Sequence, residues 1–149
     1  MHFRIFYILT SIVLTSLVSC SNEKIETGLT LKKNTQNLIK SLGLLSEDEQ
    51  IIKYYSNFKK HKAGNFFTTK RIAHYWIDDY NKEKNDTSFA YYYEIVNIDT
   101  LYNVPDTFAP YMTVTKKDGS KFNVYIDGSK NEIKSFFDEV IMMWEERKN

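Results

Sequence analysis

The pattern of hydrophobic positions changes period several times along the chain. Residues 5–18 carry no charge at all. Leu31, Thr35, Leu38, Leu42 and Leu45 then recur at alternating spacings of four and three, which sets them on one stripe of a helix over 29–45. Lys32, Lys33 and Lys40 fall elsewhere on its surface, and Gly43 is a C′ stop signal. Residues 65–69 and 71–77 are aromatic and β-branched and predict strands, whereas 80–88 is polar and charged and predicts a loop. Residues 89–98 are strand-like, but the alternation of Phe89, Tyr91, Tyr93 and Ile95 changes phase near Glu94, with Val96 and Ile98 on the next stretch. A bulge or short turn is expected there. Residues 104–110 hold both prolines and read as loop or edge.

The clearest elements lie at the C-terminal end. Segments 111–115 and 121–126 flank Lys116-Lys117-Asp118-Gly119-Ser120, and Asp-Gly between alternating strands predicts a hairpin. Met112 and Val114 should share a face with Phe122, Val124 and Ile126. Ser129 with Glu132 has the form of a capping box. After it Ile133, Phe136, Phe137, Val140, Ile141 and Trp144 form a helical stripe that must bury against the sheet. One stretch is ambiguous. Ser46-Glu47-Asp48-Glu49 is another capping-box pattern, with Ile51, Ile52, Tyr54, Tyr55 and Phe58 at helical spacing, yet 51–56 is also a short β-branched and aromatic run. Local rules favour helix and leave strand open.

The uncharged opening run is short for a membrane-crossing helix, which needs roughly 20 apolar residues, and fits a signal-peptide core behind Arg4. It ends in Leu17-Val18-Ser19-Cys20, which resembles the lipobox of bacterial lipoproteins. The resemblance implies diacylglycerol on the Cys20 thiol and cleavage before it. Cys20 is the only cysteine, so no disulfide forms within the mature chain. Cleavage leaves 130 residues (149 minus 19), enough for one domain with a single core. The mature charge is balanced, 19 Lys and Arg (20 minus Arg4) against 19 Asp and Glu, which argues against a nucleic-acid binder.

Glu49-Gln50-Ile51-Ile52, Phe67-Thr68-Thr69-Lys70-Arg71-Ile72, Tyr93-Glu94-Ile95, the Asp118-Gly119 hairpin and the closing helix together resemble short bacterial pleckstrin-homology-like domains. The resemblance implies an α+β fold: a bent antiparallel β-barrel or sandwich, partly open, with the C-terminal amphipathic helix plugging one end and Trp144 packed inward. It makes 51–56 a strand. The implied organisation is a signal peptide at 1–19, a tether at 20–28, an N-terminal helix at 29–45 and the pleckstrin-homology-like domain at 46–149.

Candidate chemistry is sparse. The resemblance places a ligand-facing basic loop at Lys59, Lys60 and Lys62 with His61, and adds Lys70 and Arg71, but Thr69-Lys70-Arg71 lacks the alternating basic pattern of lipid-binding members. A solvated loop is the commoner explanation of such a charge run. His61 and His74 lack nearby ligands at metal spacing. Asp79-Tyr80-Asn81-Lys82-Glu83 opens like a calcium loop but has Lys84 where glycine is needed. No phosphate loop, nucleophile elbow or mature thiol nucleophile is present, and no catalytic residue, metal or cofactor is assigned. Tyr91, Tyr92 and Tyr93, read as one strand, would alternate faces and turn tyrosine outward. The expected protein is a non-catalytic binding or scaffold lipoprotein of the cell envelope. Its lipid on Cys20 enters the membrane, the outer one in a double-membrane bacterium, and an envelope protein is its partner. An inhibitor or immunity-type lipoprotein is the alternative, and an envelope enzyme a weaker one.

Overall fold

The computed structural model describes residues 25–149 except Asp106. The expected signal peptide 1–19, Cys20 and the first part of the tether lie outside the described residues. The larger sheet has five antiparallel strands in sequence order: β1 (Ile25–Thr27), β2 (Ile51–Tyr55), β3 (Ala63–Thr68), β4 (Arg71–Trp76) and β5 (Asp86–Tyr91). The smaller sheet has three: β6 (Ile95–Leu101), β7 (Tyr111–Lys116) and β8 (Lys121–Tyr125). Helix α1 (Lys33–Ser41) lies between β1 and β2, and α2 (Lys130–Arg147) closes the chain.

Two hydrophobic clusters divide these layers. The first lies between the sheets and under α2, and includes Tyr55, Phe67, Ile72, Ala90, Val114, Val124, Phe136 and Phe137. The second covers the opposite face of the larger sheet, where Tyr54, Phe66, Ala73 and Tyr75 meet Leu31, Ile39, Leu44 and Leu45. Strand neighbours such as Phe66 and Phe67 therefore enter different cores, as the two-residue period requires.

The helix expected over 29–45 is shorter than its sequence pattern, running only from Lys33 to Ser41. It ends short of 45, at the Gly43 stop signal. Gly43 has φ 74°, its N–H donates to Lys40 O, and the Leu44 N–H donates to Ile39 O, a Schellman closure. Thr35 and Ile39, rather than Leu38 and Leu42, are its buried residues. Leu31, Leu44 and Leu45 reach the same core from outside the helix. Gln36 ties it to the preceding turn, donating from Nε2 to Gly28 O and Leu31 O at 3.0 and 2.9 Å.

The ambiguous 51–56 stretch is strand β2. The Ser46 N–H does donate to Glu49 Oε2 at 3.0 Å, but this half of a capping box closes a turn and starts no helix. A helix would present one stripe, whereas Ile51 and Tyr54 fill one core and Tyr55 the other. Tertiary burial thus overrides the local signal. The loop expected over 80–88 is also shortened, because β5 begins at Asp86.

The phase change near Glu94 is a 3-10 turn over Tyr92–Glu94, where the chain leaves one sheet for the other. Glu94 accepts from the Tyr91 N–H at 2.9 Å. The three tyrosines therefore do not share one strand. Tyr92 is buried and donates its hydroxyl to Thr68 O at 2.7 Å, while Tyr91 and Tyr93 stack outside with ring centroids 5.5 Å apart.

The sheets do not close into a barrel among the described residues. At the seam of β3 and β8 the link is a side chain, Asn65 Oδ1 accepting from the Tyr125 N–H at 3.0 Å. Gly119, with φ 84°, turns the β7–β8 hairpin, and Asp118 Oδ1 accepts from the Ser120 N–H at 2.9 Å. The capping box at α2 is complete between Ser129 and Glu132. Its buried residues are Ile133, Phe136, Phe137, Val140 and Met143. Met143 thus takes the depth expected for Ile141. Trp144 is partly buried against the first core and donates from Nε1 to Ile95 O at 3.3 Å. Burying five such side chains contributes about 10 kcal/mol. That is the size of a whole domain's net stability, so α2 is integral to the fold.

Candidate functional site

The five basic residues expected to face a ligand do not form one cluster. Lys59, Lys60 and Lys62 lie on the connection between β2 and β3. Lys60 pairs with Glu26 and the largely buried Lys62 pairs with Asp79, while Lys59 Nζ lies 5.9 Å from the Phe58 ring centroid. His61 shares an open cleft with Lys60, Lys32 and Asn34 beside α1. Lys70 and Arg71 sit at the opposite end of β3 and β4. Lys70 pairs with Asp48 and holds its carboxyl below the usual range.

Arg71 is buried, at 2% exposure, which withdraws it from any ligand-facing surface. Its Nε and one terminal nitrogen donate to the two oxygens of buried Glu49 at 2.9 and 2.7 Å. That terminal nitrogen also reaches Ser46 Oγ at 2.9 Å, and the other reaches Gly43 O at 3.3 Å. The Thr68 hydroxyl donates to Glu49, and the Phe89 and Tyr91 rings flank the guanidinium at 4.9 and 4.5 Å. The Glu49 and Thr68-x-x-Arg71 pieces of sequence thus meet as one structural node. It staples the α1–β2 turn to the larger sheet, and every polar atom of the pair has a partner, the condition under which a buried ion pair is tolerable.

At the other end of that sheet the loops carry aromatics into solvent. Phe58 and Trp76 pack at 6.0 Å between ring centroids yet are 57% and 42% exposed, and Tyr80 is 99% exposed. A buried phenol network supports this end from beneath. Tyr54 and Tyr75 hydroxyls lie 2.8 Å apart, Tyr54 donates to Ala63 O, and Tyr75 donates to Lys60 O. Burial pushes both phenols above their ordinary pKa. Gly64 makes room for the two rings, since a Cβ there would stand 2.4 Å from the Tyr75 ring. Sequence reasoning missed Phe58, Trp76 and Tyr80 as a group. The signal available was that all three border the two connections leaving one end of adjacent strands.

His74 faces the seam between the sheets, stacked on Phe122 at 5.7 Å. Its Nε2 is buried with no hydrogen-bond partner among the described residues, 3.6 Å from Asp86, and burial lowers its pKa. Among the described residues no group of three His, Cys, Asp or Glu is placed to hold a metal ion. At the calcium-like stretch Asp78 instead accepts from the Tyr80 and Asn81 N–H groups, an Asx-type turn that lowers its pKa.

No family model matches the chain, and no curated protein matches it. Among solved structures it resembles a DUF1696 family protein with a pleckstrin-homology domain from Shewanella loihica PV-4. That likeness is 14% in identity with a TM-score of 0.50, over 78% of this chain and 94% of the other. It also resembles a pleckstrin homology domain from Shewanella amazonensis SB2B at 13% identity and a TM-score of 0.47, over 72% and 95% of the two chains. The first of these likenesses, together with two antiparallel sheets and a closing helix, gives the chain a pleckstrin-homology-like α+β fold.

Proposed function

We propose that this chain is a lipid-anchored lipoprotein of the cell envelope whose pleckstrin-homology-like domain acts as a non-catalytic binding or scaffold module. The observation that carries the reading is Leu17-Val18-Ser19-Cys20, with the chain's only cysteine closing an uncharged run. Multiple acyl chains there anchor stably where one would not, since each buried methylene contributes about 0.8 kcal/mol. The fold supports binding over catalysis by analogy. Cys20→Ala should abolish acyl labelling and leave unprocessed precursor. Normal processing with unchanged membrane fractionation would overturn the anchor. For the binding role, crosslinking in intact envelopes should capture one partner in stoichiometric amount. If that partner is an enzyme silenced by the contact, the protein is an inhibitor.

A further inference from the structure

The strand register fixes which end of the larger sheet meets the tether. Ile25, the first residue of β1, pairs with Tyr55, the last of β2, and Ala63, the first of β3, pairs with Trp76, the last of β4. Trp76 in turn pairs with Asp86, which opens β5. The chain from Cys20 therefore enters at the end where Phe58, Trp76 and Tyr80 are exposed. Five residues from Cys20 to Ile25 span at most about 18 Å even when fully extended.

The charge at this end is close to balanced. Over segments 56–62 and 77–86 five lysines are matched by Glu26 and four carboxylates, and Lys32, which shares a cleft with Lys60 and His61, adds a single positive charge. Two of the lysines are already paired, Lys60 with Glu26 and Lys62 with Asp79. Exposed aromatic rings with a lysine beside them, as Lys59 stands beside Phe58, are side chains that settle at the headgroup level of a bilayer, the rings at the acyl boundary and the ammonium group in water. A surplus of one lysine, about 1 kcal/mol at an anionic surface, gives such a surface little electrostatic reason to select anionic lipid.

We infer that the Phe58, Trp76 and Tyr80 end of the larger sheet rests in the interfacial layer of the bilayer that holds the Cys20 lipid, and so fixes the domain's orientation without selecting anionic lipid. The inference rests on the reading of Cys20 as the lipid attachment point. Phe58 and Trp76 enter the acyl boundary.

The test uses the protein extracted from membranes and reconstituted in phosphatidylcholine vesicles whose lipids are brominated near the headgroup. Mass spectrometry first reads the state of Cys20. An acylated cysteine upholds the tether. An unmodified thiol ends that reading, and the same protein is then coupled through Cys20 to a maleimide phospholipid, so the tip is measured at the bilayer in either case. The chain's tryptophans are Trp76 and Trp144. Wild-type fluorescence should be strongly quenched and blue-shifted. The exposed substitution Trp76→Phe, which leaves Trp144 alone, should lose most of that quenching, and Phe58→Ser should reduce it. Adding phosphatidylglycerol should leave it unchanged. Equal quenching of wild type and Trp76→Phe overturns the inference, and so does quenching that appears only with anionic lipid.

Discussion

The two sheets are built from similar residues and solve opposite problems. In the larger sheet β3 is buried at all six positions, because α1 and the 42–45 segment cover the face turned away from the first core. In the smaller sheet burial alternates along β7 and β8, and the outer face is left to Thr113, Asn123 and Tyr125. A sheet buried on both sides must satisfy most of its polar groups internally, with His74 Nε2 the exception among the described residues, whereas a half-wet sheet can leave them to solvent. The Glu49–Arg71 pair and the Tyr54–Tyr75 network are in the larger sheet for that reason. The smaller sheet holds only light cross-strand contacts outside, such as Thr113 Oγ1 donating to Asn123 Oδ1 at 2.9 Å.

The largest effect should come from splitting the buried pair. Glu49→Ala leaves the Arg71 guanidinium uncompensated and should cost about 3–5 kcal/mol in chemical denaturation. Replacing both partners by apolar residues should cost much less than the sum of the singles, because the stranded charge is then gone. Additive losses would show that the pair is not the coupled node its geometry describes. Gly64→Ala comes next. The added methyl must displace the Tyr75 or Tyr54 ring. Overpacking of this kind should cost about 1–3 kcal/mol, and Tyr75→Phe should leave most of that penalty in place because the ring remains.

The same contrast explains what could be read from the chain. Met112, Val114, Phe122 and Val124 alternate with wet positions, so hydrophobic periodicity located the hairpin and its inner face directly. Ile51-Ile52-Lys53-Tyr54-Tyr55 serves two cores and has no wet face, so period alone does not separate strand from helix there. The capping pattern at Ser46 then misleads, since its glutamate is bound to Arg71. Arg71 itself looked like a surface cation because a fully paired buried guanidinium leaves no mark in composition. The helix at 29–45 was overextended because Leu31, Leu44 and Leu45 belong to the same core without belonging to the same helix. The aromatic tip was illegible for another reason: Phe58 and Trp76 are 18 positions apart and meet only through the β3–β4 register.

At the seam between the sheets the contrast becomes pH-dependent. Burial holds His74 below its ordinary value of 6.5, while the nearby Asp86 carboxylate opposes the shift. The unfolded chain then binds this proton at a higher pH than the folded one. Stability from a neutral His74 is complete above 6.5 and declines as pH falls below it. Urea midpoints at pH 8 and 5.5 should therefore fall further for the wild type than for His74→Gln, which carries no titrating group. Parallel falls in the two proteins would mean that Asp86 already compensates the charged imidazole.

The smallest effect belongs to the open face. Thr113→Ala removes one hydroxyl and its hydrogen bond to Asn123, but Asn123 also donates to the Tyr125 hydroxyl at 3.1 Å, and both residues remain accessible to water. Solvent can replace what is lost, so the change should stay within about 0.5 kcal/mol. The comparison sharpens if the paired substitution Thr68→Ala is measured beside it. Thr68 is fully buried, donates to Glu49 and accepts from the Arg71 N–H at 2.9 Å, so its loss strands groups that water cannot reach. A buried donor or acceptor left without its partner costs about 1–3 kcal/mol. The same threonine-to-alanine change should then differ several-fold between the sheets. A Thr113→Ala loss as large as that of Thr68→Ala would mean that the outer face of the smaller sheet is held as tightly as the sealed one, and that its exposure is not what keeps its contacts weak.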